Sequence, residues 1–116
     1  MKYMLLVYLE EKVLSDSERE ECYVKSAKLA QDLHSGGKYL DASPLHPIAT
    51  ATSIRVREGK RLVTDGPFAE SKEVVGGYFV VLAKNLNEAV EIAKDCPDYG
   101  LNGIVEVREV MKFDNM

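Results

Sequence analysis

Val74-Val75-Gly76-Gly77-Tyr78-Phe79-Val80-Val81-Leu82-Ala83, running on into Lys84-Asn85-Leu86-Asn87-Glu88-Ala89, is the stretch on which the fold turns. Its first ten residues are β-branched, aromatic or otherwise apolar and read as a long strand. The two glycines inside it point to a bulge, or to close approach by another backbone or a ligand. Asn85 stands three residues before Glu88, a spacing in which a side-chain oxygen can take a free N–H of a first helical turn. Ala89, Val90 and Ala93 continue the helix, and Pro97 stops it. Gly103 to Val110 then returns as a strand, which completes one βαβ half.

The start of the chain repeats the plan. Lys2 to Leu9 reads as a buried strand, and Ser15 with Glu18 has the spacing of a capping box. Val24, Ala27, Ala30 and Leu33, with Leu29 beside them, give an apolar face at helical spacing. Gly36-Gly37 ends this helix, because glycine takes the left-handed conformation at little cost. Lys38 to Leu45 is the second strand, broken by Pro44 and Pro47. Between the halves, Thr50 to Arg57 alternates, with Thr52, Ile54 and Val56 on one side and Ser53, Arg55 and Arg57 on the other. Glu58-Gly59-Lys60 turns the chain, Arg61 to Thr64 returns, and Asp65 to Glu73 is a loop. The order is βαβ, hairpin, βαβ over one domain, residues 1–116. The expected class is α+β and ferredoxin-like, an antiparallel-dominated sheet with two helices on one face.

Helices on one face leave the other open. Tyr3, Leu5, Val7, Phe79, Val81, Val105 and Val107 read as apolar residues of both strand parities, so the open face is expected to be buried as well. The simplest cover is a second copy of the sheet. The expected assembly is a homodimer, a dimeric α/β barrel whose sheets enclose a ligand cavity.

Composition narrows the field. The chain has 116 residues, 46% hydrophobic and 29% charged, in the range of an ordinary globular domain. A net charge of −4 with dispersed Lys and Arg argues against a nucleic-acid partner. Its longest apolar run, Met4 to Val7, falls far short of the roughly 20 residues of a membrane span. The same run is too short for a signal-peptide core, so Met1 to Leu9 is taken as part of the fold. Cys22 and Cys96 have no CxxC spacing, which speaks against a disulfide framework or a zinc site and for a cytoplasmic location. No phosphate loop, dinucleotide fingerprint, HExxH or GxSxG occurs, and no cofactor or metal is expected.

Asp65-Gly66-Pro67-Phe68-Ala69-Glu70-Ser71-Lys72-Glu73-Val74-Val75-Gly76-Gly77-Tyr78 gathers ionisable groups around a rigid Gly-Pro turn and ends on an aromatic. With Met1-Lys2-Tyr3-Met4-Leu5-Leu6, the hairpin run Ala49 to Arg57, Glu88-Ala89, Cys96-Pro97 and Val105 to Arg108, it resembles the DGPF branch of the YCII-related family over nearly the whole chain. The resemblance implies a ferredoxin-like domain that dimerises into a barrel and says little about activity. Some relatives carry a His–Asp pair for acid–base chemistry on small molecules, the His lying in the first helix. By its spacing to the helix-ending glycines, Ser26 occupies that place here. Neither His34 nor His46 matches it.

The candidate site follows from these residues. Asp65 can serve as acid or base at a strand end, or simply bond the N–H groups of its own turn. His46, between Leu45 and Pro47, is a candidate assisting base. Arg55 and Lys72 can orient an anionic substrate, and Arg55 can equally pair with a neighbouring carboxylate. Phe68, Glu70 and Tyr78 complete the expected lining, Tyr78 reading equally well as a core aromatic. His34 at a helix end is accounted for by the helix dipole. Two functions are carried forward: a cofactor-independent acid–base enzyme acting on a small polar or anionic metabolite, and a non-catalytic metabolite-binding or regulatory module.

Overall fold

From Tyr3 to Leu9 the residues alternate between buried and half-buried, and with the exposed Lys2 they form the strand on which the molecule is assembled. The computed structural model describes residues 1–66, 73–97 and 103–112. Its elements are β1 (Lys2–Leu9), α1 (Asp16–Ser35), β2 (Tyr39–Pro44), β3 (Thr52–Arg57), β4 (Lys60–Asp65), β5 (Val74–Leu82), α2 (Leu86–Ala93) and β6 (Ile104–Glu109). Short 3₁₀ turns lie at Glu11–Val13 and Ile48–Thr50.

β2, β5, β1 and β6 form one antiparallel sheet in that order, and β3 with β4 forms a separate two-stranded sheet. Each βαβ half therefore spans one strand of the other half, as a ferredoxin-like fold requires. Leu29 and Leu33 of α1 and Ala89, Ile92 and Ala93 of α2 share one core with Tyr3, Leu5, Val7, Phe79 and Val81. Both helices thus cover the same face. Leu5, Val7 and Val81 are fully buried, each stabilising the fold by about 1.5–3 kcal/mol relative to exposure.

The register corrects the parity reading. Tyr3 pairs with Val81, Leu5 with Phe79 and Val107, and Val7 with Val105, so all seven of those residues stand on the helix-covered face. Residues directly opposite in a ladder share a side. The open face is built instead from Met4, Leu6, Tyr8, Tyr78 and Val80, all half-buried, with Glu106 and Arg108 at the β6 edge. The Tyr8 hydroxyl donates to Glu106 Oε1 at 3.3 Å.

The apolar face of α1 is also turned from expectation. Cys22, Leu29 and Leu33 are buried, Ser26 is half-buried among them, and Val24 is 67% exposed. Spacings of seven and four residues keep Cys22, Leu29 and Leu33 on one stripe just as the 24–27–30–33 series does. Packing against β2 selects the former.

Both readings of the paired glycines hold. The β1–β5 register shifts between Val7 and Tyr8, which leaves Gly76 as the extra residue of a bulge. A Cβ on Gly76 would overlap the Leu9 side chain, and one on Gly77 would sit 3.1 Å from the Ser43 carbonyl oxygen and 3.2 Å from Pro44 Cα. Gly77 lets the edge strand β2 come close.

Candidate functional site between the first helix and the β2–β5 corner

The ends of α1 are tied. Ser15 Oγ accepts from the Glu18 amide at 3.1 Å, and Glu18 Oε1 accepts from the Ser15 amide at 3.0 Å. These hydrogen bonds hold the Glu18 carboxyl below the usual carboxylate range. At the other end the Lys38 amide donates to the Leu33 carbonyl at 2.9 Å and the Gly37 amide to the His34 carbonyl at 3.1 Å, with Gly37 at φ +73°. This closure needs a residue in the left-handed region. His34 packs its ring against Tyr39, centroids 6.0 Å apart.

With both ends fixed, the middle of α1 presents Tyr23, Ser26, Ala27 and Ala30 toward the sheet corner. Val7, Gly77 and Phe79 face them, and Ala42, Ser43 and Pro44 of β2 form the wall. Small side chains on both sides leave a cavity of about 260 Å³. A cavity of about 150 Å³ lined by apolar residues holds benzene, so one substituted ring or a short branched chain fits here. The lining is apolar apart from residues bearing hydroxyls. Among the described residues no carboxylate, imidazole, amine or guanidinium lines it. Among the described residues, the hydroxyls of Tyr23 and Ser26 have no hydrogen-bond partner.

Among the described residues, Tyr78 is the one expected site residue that borders this cavity. By register it stands with Leu6 on the face away from the helices. Its hydroxyl donates to Asp41 Oδ2 at 3.0 Å, while Asp41 Oδ1 accepts from the Ala42 amide at 2.9 Å. The bond to Asp41, and then burial, pushes the Tyr78 phenol above its ordinary value.

The other expected residues that the structure describes lie elsewhere. Asp65 is the last residue of β4, exposed and opposite Thr52. Its turn is closed by the Gly66 amide donating to the Ala51 carbonyl at 2.6 Å and by Ser53 Oγ donating to the Gly66 carbonyl at 2.7 Å, with Gly66 at φ +99°. Arg55 is exposed on β3, and the hairpin register puts it on the opposite face from Asp65. His46 is exposed in the connection after β2. No hydrogen bond or ion pair joins it to Asp65 among the described residues. Phe68, Glu70 and Lys72 lie outside the described residues. Among the described residues no three or more of His, Cys, Asp and Glu come together as a metal would need.

Sequence reasoning reached Ser26 only as the stand-in for a histidine and missed Tyr23 and the Asp41–Tyr78 pair. The available signal was the Cys22–Ser26–Leu29–Leu33 stripe, a small polar residue inside a buried helical face. Neither Cys22 nor Cys96 is in a disulfide, both are buried, and burial, then the nearby Asp95, pushes the Cys96 thiol up to about 12. No helix among the described residues is long and apolar enough to cross a membrane.

Fold and cavity define a class: a ferredoxin-like α+β protein with a small pocket beneath its first helix. The YCII-related domain matches residues 1–114, and the chain belongs to that family. It is 34% identical over 121 residues to an uncharacterised protein of Rhizobium meliloti (strain 1021), an alignment covering 97% of this chain and 94% of the relative.

Proposed function

We propose that this protein is a binding module that holds a small molecule of largely apolar body in the cavity between α1 and the β2–β5 corner. The observation that carries the reading is the lining itself: apolar walls, the unpartnered hydroxyls of Tyr23 and Ser26, and no strong acid or base among the described residues. Such a site orients a ligand by one or two hydrogen bonds and excludes water. Ser26, where some relatives hold a histidine, supplies a donor and acceptor without titrating near neutral pH. The expected partner was a polar or anionic metabolite; an apolar lining shifts the proposal toward a ring or branched chain with a single polar group.

We also assign a homodimer formed through the open sheet face, whose half-buried row of Met4, Leu6, Tyr78 and Val80 has no helix over it among the described residues. The tetrad Asp65 to Phe68 supports the DGPF branch, and two reduced, buried thiols suit the cytoplasm.

The test is a thermal-shift screen of small aromatic and branched-chain alcohols, amides and acids, with wild type beside Ser26→Leu, which fills the cavity. A ligand at about 100 times its Kd stabilises the fold by about 2.7 kcal/mol. Wild type is expected to shift and Ser26→Leu to lose the shift. A shift retained in Ser26→Leu would place the ligand elsewhere. Conversion of the bound compound to a product, abolished by Asp65→Asn, would replace binding with acid–base catalysis at Asp65 and His46.

A further inference from the structure

Tyr23 stands between two voids. On one side is the cavity described above, and on the other is a recess of about 20 Å³ whose walls include Leu9, Glu11, Leu14, Arg19 and Pro47. Room of that size holds a single water or one oxygen of a ligand. Arg19, Tyr23 and Ser26 follow one another at intervals of four and three residues, which puts them on one stripe of α1. Among the described residues two cations are half-buried, Lys38 and Arg19. Lys38 Nζ pairs with Glu88 Oε1 at 3.5 Å. The Arg19 guanidinium has no ion pair and no hydrogen bond among the described residues. Glu11, the carboxylate that shares the recess with it, turns both oxygens to the Ile48 amide at 3.1 and 3.2 Å. A guanidinium drawn partly out of water without a partner favours an anion that brings strong acceptors.

We infer that the ligand of the α1 cavity is a small carboxylic acid, its apolar body against Ala27, Ala30 and Phe79 and its carboxylate carried past Tyr23 to Arg19. The inference rests on the binding reading above and names the single polar group that reading left open. Ser26 and Arg19 lie about 10 Å apart along the helix axis, a span that a phenyl ring with a short acid tail covers. One carboxylate oxygen fits the recess and accepts a charge-assisted hydrogen bond from the guanidinium. The other faces the Tyr23 hydroxyl, a donor without a partner. Arginine keeps its charge at every pH at which the fold works, so the selection falls on the charge of the ligand. An amide of the same shape forfeits the ionic part of the bond and turns an N–H donor toward another donor. Glu11 limits the ligand to one acid group, because a second anion in the recess would meet a carboxylate.

The experiment is isothermal titration calorimetry of the full chain at neutral pH with benzoate, phenylacetate, 3-phenylpropionate and isovalerate, each beside its primary amide. Wild type, Arg19→Gln and Ser26→Leu are compared, with thermal melts on all three. At least one acid is expected to bind wild type at least tenfold more tightly than its amide. Arg19→Gln is expected to melt as wild type does and to close that gap by weakening the acid alone. Ser26→Leu is expected to lose acid and amide together. An acid and its amide bound equally by wild type, or an acid whose affinity is unchanged in Arg19→Gln, overturns the carboxylate and leaves the binding module standing. An acid still bound by Ser26→Leu sits outside the cavity and overturns the inference as well. Binding of no compound in either series overturns both.

Discussion

β1 and the β3–β4 hairpin are built from the same kinds of residue and meet opposite fates. Along β1, Tyr3, Leu5, Val7 and Leu9 are buried at every second position. Along β3, the equally regular Thr52, Ile54 and Val56 are exposed throughout. The difference lies outside the strands. β1 has ladders on both sides and two helices above it, whereas among the described residues the hairpin has one ladder and no layer. Alternation states that one face of a strand is meant to be buried. It is silent on whether the same chain supplies the burying surface.

The largest test of this contrast pairs Leu5→Ala with Ile54→Ala in chemical denaturation under monomeric conditions. Leu5 is 0% exposed in the core, so its truncation is expected to cost about 2–5 kcal/mol. Ile54→Ala is expected to stay within about 0.5 kcal/mol. Comparable losses at the two sites would break the comparison and require the hairpin to pack on its own body.

Gly76→Ala sharpens it further inside the body. A methyl there overlaps Leu9, which is itself buried, and the loss is expected at about 1–3 kcal/mol. A neutral result would mean that the bulge is free to shift. A smaller effect is expected from alkaline pH. Cys96 titrates from 9.0 in the absence of burial to about 12 in the fold. In that window the unfolded chain gives up the proton first, so this contribution is fully present below pH 9 and is lost as pH rises toward 12. Cys96→Ala is expected to flatten that part of the stability profile, measured by thermal melts across it. An unchanged slope would assign the alkaline loss to other groups.

Most element positions were legible because their signals are local. The Ser15–Glu18 and Asn85–Glu88 pairs cap the helices that they mark, and Glu58 and Gly59, at φ 51° and 78°, turn the hairpin where the glycine indicated. Helical rotation and strand parity were less legible. Cys22, Ser26, Leu29 and Leu33 compete with Val24, Ala27, Ala30 and Leu33 on spacing alone, and only the β2 edge decides between them. The cavity was hidden for the same reason, since it is made of what Ser26, Ala30, Ala42 and Gly77 lack. Asp65, His46 and Arg55 drew attention through their chemistry, which carries no information about distance. The Asp41–Tyr78 bond spans 37 residues and left no trace in spacing.

One consequence of the tied helix concerns counting. α1 holds 20 residues between a cap that fixes its first turn and a glycine closure that fixes its last. Each residue advances the helix by about 100°. Losing or gaining a single residue between those anchors would swing Ser26 away from the cavity and bring a different side chain around, with every wall residue unchanged. The pocket is in that sense metered by an interval of chain, and its ligand is chosen as much by arithmetic along α1 as by any contact across the gap.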